Sequence, residues 1–211
     1  MIIRDLNPEI HDLERVAELI YDVDYRTFRY VFKSKESGVR ALTNRLIHEF
    51  EDDNDVDDDG EDNHLFKVFF DDEDNDEKEI IGMFNGGKGV VHNYFRDILW
   101  LFRKLKFSEA LPLAIVKFLD SFVLVTVESD DFYICELAIH ESQCGKGRGH
   151  EALEYLLKLG KDLGCKRAVL DADFRNEGAF RLYSSYGFKI FDKKSFGIFH
   201  KRGMHNMEYV Y

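Results

Sequence analysis

The chain has 211 residues, of which 45% are hydrophobic and 14% aromatic. This composition excludes a disordered protein, and the length predicts one domain over residues 1–211 with a sizeable core. Acidic residues outnumber basic ones by 41 to 29, which gives a formal net charge of −12. No basic stripe or block is present, so tight binding to nucleic acid is excluded as a function.

The acidic excess lies in two short stretches. Residues 51–63 hold nine acidic residues, and residues 71–79 hold seven acidic residues and one lysine. The rest of the chain is nearly neutral, at +3. The first stretch has no apolar periodicity and the second separates two predicted strands, so both are predicted to form solvated loops.

The first acidic stretch contains half of a calcium-binding motif. Asp55, Asp57 and Asp59, followed by Gly60, match the first half of an EF-hand loop. The twelfth position is Phe66 instead of a bidentate glutamate, and no helix clearly flanks the motif. We therefore expect no EF-hand and no metal site, while weak incidental cation binding by this loop stays open.

The sequence has no feature of export or membrane insertion. Its start, MIIRDLNPEI, lacks a charged and then apolar signal sequence. The most apolar stretch, residues 111–127, is interrupted by Pro112, Lys117 and Asp120. The three cysteines are an odd number without metal-ligand spacing, which argues against a disulfide framework or a zinc site. We expect a cytoplasmic protein without a membrane partner.

The first part of the chain predicts a strand, two helices and two strands. A short strand over residues 1–5 precedes a run of apolar residues at helical spacing over residues 10–20. A second helix is predicted over residues 36–50. The two strands are predicted over residues 65–70 and 79–84, on either side of the second acidic stretch.

A helical insertion is predicted over residues 90–122, with a second helical run after Pro112. Trp100 lies off its main apolar stripe. The aromatic residues of this segment favour a core, or a contact between two copies of the chain, over a substrate pocket. A homodimer therefore stays open. The stripe consists of Val91, Phe95, Ile98, Phe102 and Leu105.

Strands and helices alternate in the last part of the chain. A strand over residues 132–140 is nearly all apolar, as in strands buried on both faces. The next helix ends at Gly164 and is followed by another strand, which predicts a parallel crossover. The inward-facing residues of that helix are predicted to be Leu153, Leu156, Leu157 and Leu163. The remaining elements are a strand over residues 166–172, a helix over 176–186, and closing strands over 188–199 and 204–211.

A glycine-rich loop joins the apolar strand to the helix. Gly145, Gly147 and Gly149 lie where several backbone amides point one way, at the positive end of a helix dipole. Such a loop can bind phosphate. A dinucleotide fingerprint is excluded because its third glycine falls on His150, and no Gly-Lys-Ser/Thr of a Walker loop is present. A glycine-rich turn without a ligand stays open at this point.

Three motifs together form a known pattern: Glu136-Leu137-Ala138-Ile139, the glycine loop over residues 145–149, and Asn176, Ala179 and Leu182-Tyr183 followed by Gly187-Phe188. Residues 131–190 resemble the acetyl-CoA-binding core of the GNAT family of N-acetyltransferases. The resemblance implies a mixed α/β (α+β) fold, with a central twisted sheet and helices on both faces. The expected order is β-α-α-β-β, a helical insertion, then β-α-β-α-β-β.

The resemblance also implies where acetyl-CoA is bound. The pyrophosphate would lie on the amides of the glycine loop, and the pantetheine arm would pair along the edge of the preceding strand with Asn176 beside it. Cys144 stands where the family usually has arginine or glutamine. The implied cofactor-binding residues are Leu137, Ala138, Ile139, Cys144, Gly145, Lys146, Gly147, Arg148, Gly149 and Asn176.

Two side chains are candidates for catalysis. Glu136 lies within an apolar strand, where a carboxylate needs a partner. The resemblance implies that Glu136 accepts the amine's proton through water, although a structural partner explains it equally well. It also implies that the Tyr183 hydroxyl protonates the leaving thiolate. Without the family, Tyr183 is a core-facing aromatic and Asn176 a helix N-cap. His140 is a weaker candidate for the base.

The predicted function is acetyl-CoA-dependent transfer of an acetyl group to a primary amine of a small molecule or protein. The transfer is expected to be direct and to need no metal. Two alternatives stay open. One is a non-catalytic acyl-CoA-binding regulatory module, and the other is an interaction protein whose acidic loops recruit a cationic partner.

Overall fold

The computed structural model describes residues 1–52, 64–71, 79–90, 93–196 and 199–211. Two short connections inside the predicted acidic loops, residues 53–63 and 72–78, therefore lie outside the described residues, as do the EF-hand-like motif and Val91. The strands are β1 (Ile2–Asp5), β2 (His64–Phe70), β3 (Ile80–Lys88), β4 (Asp131–Ile139), β5 (Arg167–Asp173), β6 (Lys189–Phe196) and β7 (Phe199–Val210). The helices are α1 (Leu13–Val23), α2 (Tyr25–Val31), α3 (Lys35–Asp52), α4 (Tyr94–Lys104), α5 (Phe107–Val123), α6 (Arg148–Asp162) and α7 (Glu177–Ser185).

The seven strands form one mixed sheet in the order β1-β2-β3-β4-β5-β7-β6. Strands β4 and β5 run parallel, and every other neighbouring pair is antiparallel. Helix α6 connects the parallel pair, so the predicted crossover and the mixed fold class are confirmed.

The two parallel strands separate halfway along their length. They pair only from Asp131 to Ile134 on β4 and from Arg167 to Leu170 on β5. Beyond that point β4 continues to pair with β3 as far as Ile139, and β5 with β7 as far as Asp173. The β3–β4 register shifts where the separation begins. A cleft therefore opens in the middle of the sheet, with one free edge of β4 facing it.

Helices pack on both faces of the sheet. On one face α1, α3, α4 and α5 enclose a core that includes Val16, Leu42, Leu46, Met83 and Leu113. On the other face α6 contributes Leu153 and Leu156, which pack with sheet residues such as Phe84, Phe132 and Met207. Each fully buried side chain of this size contributes roughly 1.5–3 kcal/mol.

Capping side chains determine where a helix begins, as α1 shows. The Asp12 side chain accepts hydrogen bonds from the amides of Glu14 and Arg15, so α1 begins at Leu13 and not near Ile10. Ile10 is 74% exposed. The short helix α2 directly follows α1 and was not predicted from the sequence.

Several expectations about buried faces and element ends are wrong. Phe95 and Phe102 of the predicted apolar stripe are 74% and 41% exposed, because α4 turns Leu101 inward instead. Helix α5 begins five residues before Pro112, which lies inside it. Leu163 is 40% exposed because α6 ends just before it. At the other boundary, residues 51 and 52 continue α3 and are not loop.

Candidate active site

The glycine loop forms an open concave turn at the start of α6. Gly145 and Gly147 have φ values of 78° and 81°, in the left-handed region that favours glycine. A Cβ atom built at either position would meet nothing within 4 Å. The backbone therefore takes a conformation suited to glycine while leaving free space beside it, as a cradle for a ligand requires.

The amides of this loop are available to an anion. The Lys146 amide donates to the Gln143 carbonyl, but the amides of Gly145, Gly147 and Gly149 donate to no described residue. These groups lie at the positive end of the α6 dipole, where backbone N–H groups bind phosphate. The residues present therefore fit a pyrophosphate group.

The charged side chains of the loop contribute less than its backbone. The Arg148 guanidinium lies 2.6 Å from Asp71 and 3.0 Å from Glu151, so its charge is largely neutralised within the protein. Lys146 and Cys144 are exposed. Anion binding at this loop consequently depends on backbone amides. Replacing one of these side chains would leave the amides in place.

The free edge of β4 can pair with an extended chain. The His140 amide donates to the Ile81 carbonyl of β3 at 2.7 Å. Alternate residues of an antiparallel strand point to the same neighbour, so the backbone of Ala138 also faces β3. The backbones of Leu137 and Ile139 then face the cleft. The backbone N–H and C=O groups of these two residues can therefore pair with an extended ligand, as when a peptide adds a strand to the edge of a sheet.

Glu136 has a neutral partner. Asn85, opposite it on β3, donates from Nδ2 to Glu136 Oε2 at 3.1 Å. Asn85 is only 5% exposed, and its Oδ1 has no hydrogen-bond partner among the described residues. The Asn85 amide orients the carboxylate, and Arg45, which also lines the groove, interacts with it electrostatically.

Tyr183 lies on α7 with its ring packed 5.8 Å from that of Phe188. The residue is 8% exposed, and burial raises the pKa of its hydroxyl to about 12. This hydroxyl makes no hydrogen bond to a described residue. Its proton is therefore retained at physiological pH and is available to a ligand in the cleft.

Two other polar residues have local structural partners. The Asn176 side chain accepts a hydrogen bond from the Ala179 amide at 3.2 Å, which confirms its role as the N-cap of α7. The His140 ring lies 2.8 Å from the Ser142 hydroxyl in the short 3-10 turn over Glu141–Gln143. The structure thus gives His140 a capping contact.

One groove of about 1860 Å³ brings the predicted residues together. Glu136, Tyr183 and Asn176 line it, together with the β4 edge and the glycine loop, and Lys146 is the one predicted residue outside its lining. We call the part of the groove at residues 144–149 the loop side. We call the part lined by Asp24, Asp120 and Asp171 the acidic side.

The carboxylates of the acidic side have raised pKa values. Burial, with repulsion from neighbouring carboxylates, raises the pKa of Asp24 and of Asp120 to about 7. Burial raises that of Asp171 to about 6, although the Val125 amide and the Tyr133 hydroxyl hydrogen-bond to this carboxylate. Negative charge is therefore held in the groove at a free-energy cost.

Basic side chains lie near these carboxylates without forming ion pairs among the described residues. Arg175 partly lowers the pKa of Asp24, Lys117 that of Asp120, and Lys194 that of Asp171. Among the residues that the structure describes, neither the three aspartates nor Glu136 forms an ion pair with a lysine, arginine or histidine. The sequence contained one signal for this side of the groove, since Asp120 interrupts an otherwise apolar helix. Sequence reasoning used that interruption only against a membrane span and missed all three aspartates and Asn85.

Two other kinds of feature are absent from the described residues. No group of three or more histidine, cysteine, aspartate or glutamate side chains is arranged to hold a metal ion. No helix within the described ranges is long and apolar enough to cross a membrane.

Comparison with solved structures gives the same fold. The N-acetyltransferase from Staphylococcus aureus Mu50 superposes with a TM-score of 0.64 at 18% identity, covering 99% of this chain and 100% of that one. The PaiA N-acetyltransferase from Thermoplasma acidophilum, in complex with coenzyme A, gives 0.58 at 19% identity, covering 100% and 98%. The spermidine N-acetyltransferase from Vibrio cholerae, in complex with CoA and spermine, gives 0.56 at 15% identity, covering 99% and 94%.

A search of curated proteins found no match. The family-level comparison is decisive, because residues 39–188 match the model of the acetyltransferase (GNAT) family. That match extends over most of the chain, from α3 to the residue before β6, and includes the cleft, the glycine loop and α7. This chain therefore belongs to the GNAT acetyltransferase family.

Proposed function

We propose that this protein is an acetyl-CoA-dependent N-acetyltransferase that transfers an acetyl group directly to a primary amine of a small molecule or protein. The observation that carries the proposal is the groove. It joins a loop of available amides to a cleft between β4 and β5, and both Glu136 and Tyr183 line it. Family membership and the CoA complexes of similar folds support the same cofactor.

The loop side is suited to the cofactor's anionic part. The amides of Gly145, Gly147 and Gly149 would hold the pyrophosphate, and the free backbone groups of Leu137 and Ile139 would pair with the pantetheine amides. Asn176 lies on the same groove and would contact this arm. With these contacts the thioester would lie in the cleft between the separated strands.

The transfer step requires a neutral amine, a stabilised oxyanion and a leaving thiolate. The amine nitrogen attacks the thioester carbonyl carbon, forming a C–N bond as the C–S bond breaks. Glu136 would take the amine's proton through a water molecule. A cleft-facing amide of Leu137 or Ile139 would donate to the oxyanion.

The raised pKa of Tyr183 defines how its hydroxyl can act. An ordinary thiol has a pKa of about 8.5, so complete proton transfer from a phenol at about 12 is unfavourable by roughly 5 kcal/mol. A hydrogen bond from the hydroxyl to the departing sulfur has no such penalty. Tyr183 would therefore stabilise the thiolate as a donor, and solvent would complete its protonation.

The acidic side supports an amine as the acceptor. Amines are cations in solution at neutral pH. The Glu136 carboxylate raises the pKa values of Asp24 and Asp120, so these carboxylates lie near one another, and their combined charge attracts such a cation even with Lys117 and Arg175 nearby. The amine would enter as an ammonium ion and lose its first proton to solvent before attack, which leaves Glu136 to take the second proton as the C–N bond forms.

Thiol release from acetyl-CoA over a panel of amines tests this proposal. We expect primary amines to raise the release rate well above slow hydrolysis in the native chain. Glu136→Gln should lower the rate while leaving CoA affinity unchanged, as calorimetry would show. Tight CoA binding with no amine-dependent release across the panel would instead favour a non-catalytic acyl-CoA-binding module.

A further inference from the structure

The outward face of the α4–α5 hairpin carries a large group of exposed apolar side chains. On α5 they follow one another at intervals of four, four, three and four residues, which places them on a single helix face. On α4 the intervals are four and three. Their exposures range from 40% to 74%. We call this group the hairpin face, and its members are Phe95, Leu99, Phe102, Phe107, Leu111, Ile115, Phe118 and Phe122.

The two helices present one continuous face. Only Leu105 and Lys106 separate α4 from α5, so the helices are antiparallel neighbours. The rings of Phe102 and Phe107 lie 5.9 Å apart across this turn. Leu101 and Leu113 are buried on the inner face of the hairpin. The hairpin is therefore apolar on both faces, and the protein's own core covers only one of them.

The area of the hairpin face is that of a protein interface. Its eight side chains are on average about half exposed. With roughly 200 Å² for a large apolar side chain, they present about 800 Å². The largest apolar patch on a typical monomer is about 300–600 Å², whereas a standard interface buries about 800 Å² on each partner.

We propose that the hairpin face is the contact between two copies of this chain in a two-fold symmetric dimer. In such a contact the same patch meets itself, so it must be self-complementary. An apolar surface satisfies this condition, and no exposed residue of α5 is charged. A two-fold axis near Ile115 would set α5 against its symmetry copy.

The charged residues fit the edge of such a contact. Arg96 and Arg103 are exposed on α4, and with α5 at the axis they would lie at the periphery, where interfaces are polar. A membrane surface is the alternative occupant, and the vesicle experiment below distinguishes it from a second copy of the chain.

The dimer would also support the proposed acceptor site, a consequence that rests on the proposed function. Val116, Lys117 and Asp120 project from the inner side of α5 and line the groove. Holding the outer face of the same helix against a partner would limit its movement. Dimerisation would thus stabilise one wall of the acidic side of the groove.

The test is the mass in solution, measured by light scattering at about 10–100 µM, a range in which an interface of this area is expected to hold. We expect twice the 24.8 kDa of one chain for the native protein. Ile115→Glu and Phe118→Glu should each weaken association at least 100-fold, because each brings two like charges into an apolar contact. Phe118→Leu should remain a dimer.

Ile10→Glu is the matched control, since Ile10 is 74% exposed and lies outside the hairpin face. It should keep the dimer mass, and circular dichroism should show that all variants fold. A native mass of 24.8 kDa, or dimers that survive both glutamate substitutions, would overturn the proposal. So would co-sedimentation of the native chain with phosphatidylcholine–phosphatidylserine vesicles that is lost in Phe118→Glu. None of these readouts depends on catalysis, so they fail independently of the proposed function.

Discussion

The two sides of the groove differ in what they are made of. The loop side presents backbone amides, with Gly145 and Gly147 in left-handed conformations beside open space. The acidic side presents side chains, above all Asp24 and Asp120, whose ionisation burial disfavours. A backbone site recognises a group common to all substrates of the reaction, whereas a side-chain site can change with the acceptor.

The two sides also differ in sign. The amide loop lies at the positive end of α6, and the acidic side presents carboxylates that form no ion pair with a described residue. An anionic cofactor and a cationic amine would therefore be attracted to different parts of the same groove. Substitutions on each side should affect one substrate and spare the other.

Gly147→Asp should produce the largest loss of CoA affinity. It forces a non-glycine residue to a φ of 81° and places a negative charge beside the proposed pyrophosphate site. We expect CoA affinity measured by calorimetry to fall by about 100-fold or more. Gly164→Asp is the matched control, because Gly164 has a φ of 71° and open space at the other end of α6. Equal losses in both variants would show a folding defect and not a cofactor contact.

Tyr183→Phe tests the chemistry between the two sides. Turnover should fall by about 10²–10³, because the leaving thiolate loses its hydrogen-bond donor. CoA affinity should change little. The comparison is Tyr186→Phe, which removes a hydroxyl that donates to the His150 carbonyl at 3.0 Å. That variant should lose about 1 kcal/mol of stability and keep its turnover. Near-native rates in Tyr183→Phe would exclude a role for its hydroxyl in catalysis.

Asp120→Asn tests the acidic side through both binding and stability. The KM for a cationic amine should rise by about tenfold, since the substitution removes a nearby charge at an effective dielectric constant of about 20. CoA affinity should not change. Asp162→Asn, at an exposed ion pair with Lys158, should leave both unchanged. An unaltered KM in Asp120→Asn would show that Asp120 takes no part in acceptor binding.

The same substitution predicts a pH-dependent gain in stability. The folded-state pKa of Asp120 is raised from 3.8 to about 7, so the folded protein holds this proton more tightly than the unfolded chain does. Stability therefore falls as pH rises from about 4 to 7. Asp120→Asn lacks this loss and should be more stable at pH 8 by up to about 4 kcal/mol, with no gain at pH 4. Thermal unfolding at the two pH values measures the difference.

The smallest effect is expected at the first acidic stretch. Its described end is anchored, since Asp52 accepts hydrogen bonds from Trp100 at 2.9 Å and Lys104 at 2.5 Å. Replacing only residues 53–63 with a short glycine–serine linker should shift the melting temperature by no more than about 2 °C. Asp52→Ala should lower it further than the linker does. A large loss from the linker would assign those carboxylates a structural role.

The loop side was largely predictable from the sequence, because glycines and helix caps act through local backbone geometry. Positive φ at Gly145 and Gly147 and the N-cap role of Asn176 depend on residues a few positions away. The separation of β4 from β5 was not predictable, because it depends on strands distant in sequence. The pairing of Asn85 with Glu136 likewise joins residues 51 positions apart.

The hairpin shows why periodicity alone could not identify the buried face. Both faces of α4 and α5 are apolar, so the stripe through Phe95 and Phe102 had the same spacing as a buried one. Leu101 packs inward only because the sheet and α3 lie on that side. Tertiary packing likewise determines that Asp120 faces the groove. The acceptor site therefore depended on tertiary packing, which no local pattern contains.

The central claim is that the groove joins acetyl-CoA to a cationic primary amine. Its most direct test is incubation of the chain with acetyl-CoA that carries isotope in the acetyl group, together with a mixed panel of cationic primary amines and uncharged amides. We predict that mass spectrometry finds the label on a primary amine nitrogen, and that the label is lost with Gly147→Asp. Bound CoA without any labelled amine, or label transferred equally well to acceptors that carry no charge, would contradict the claim.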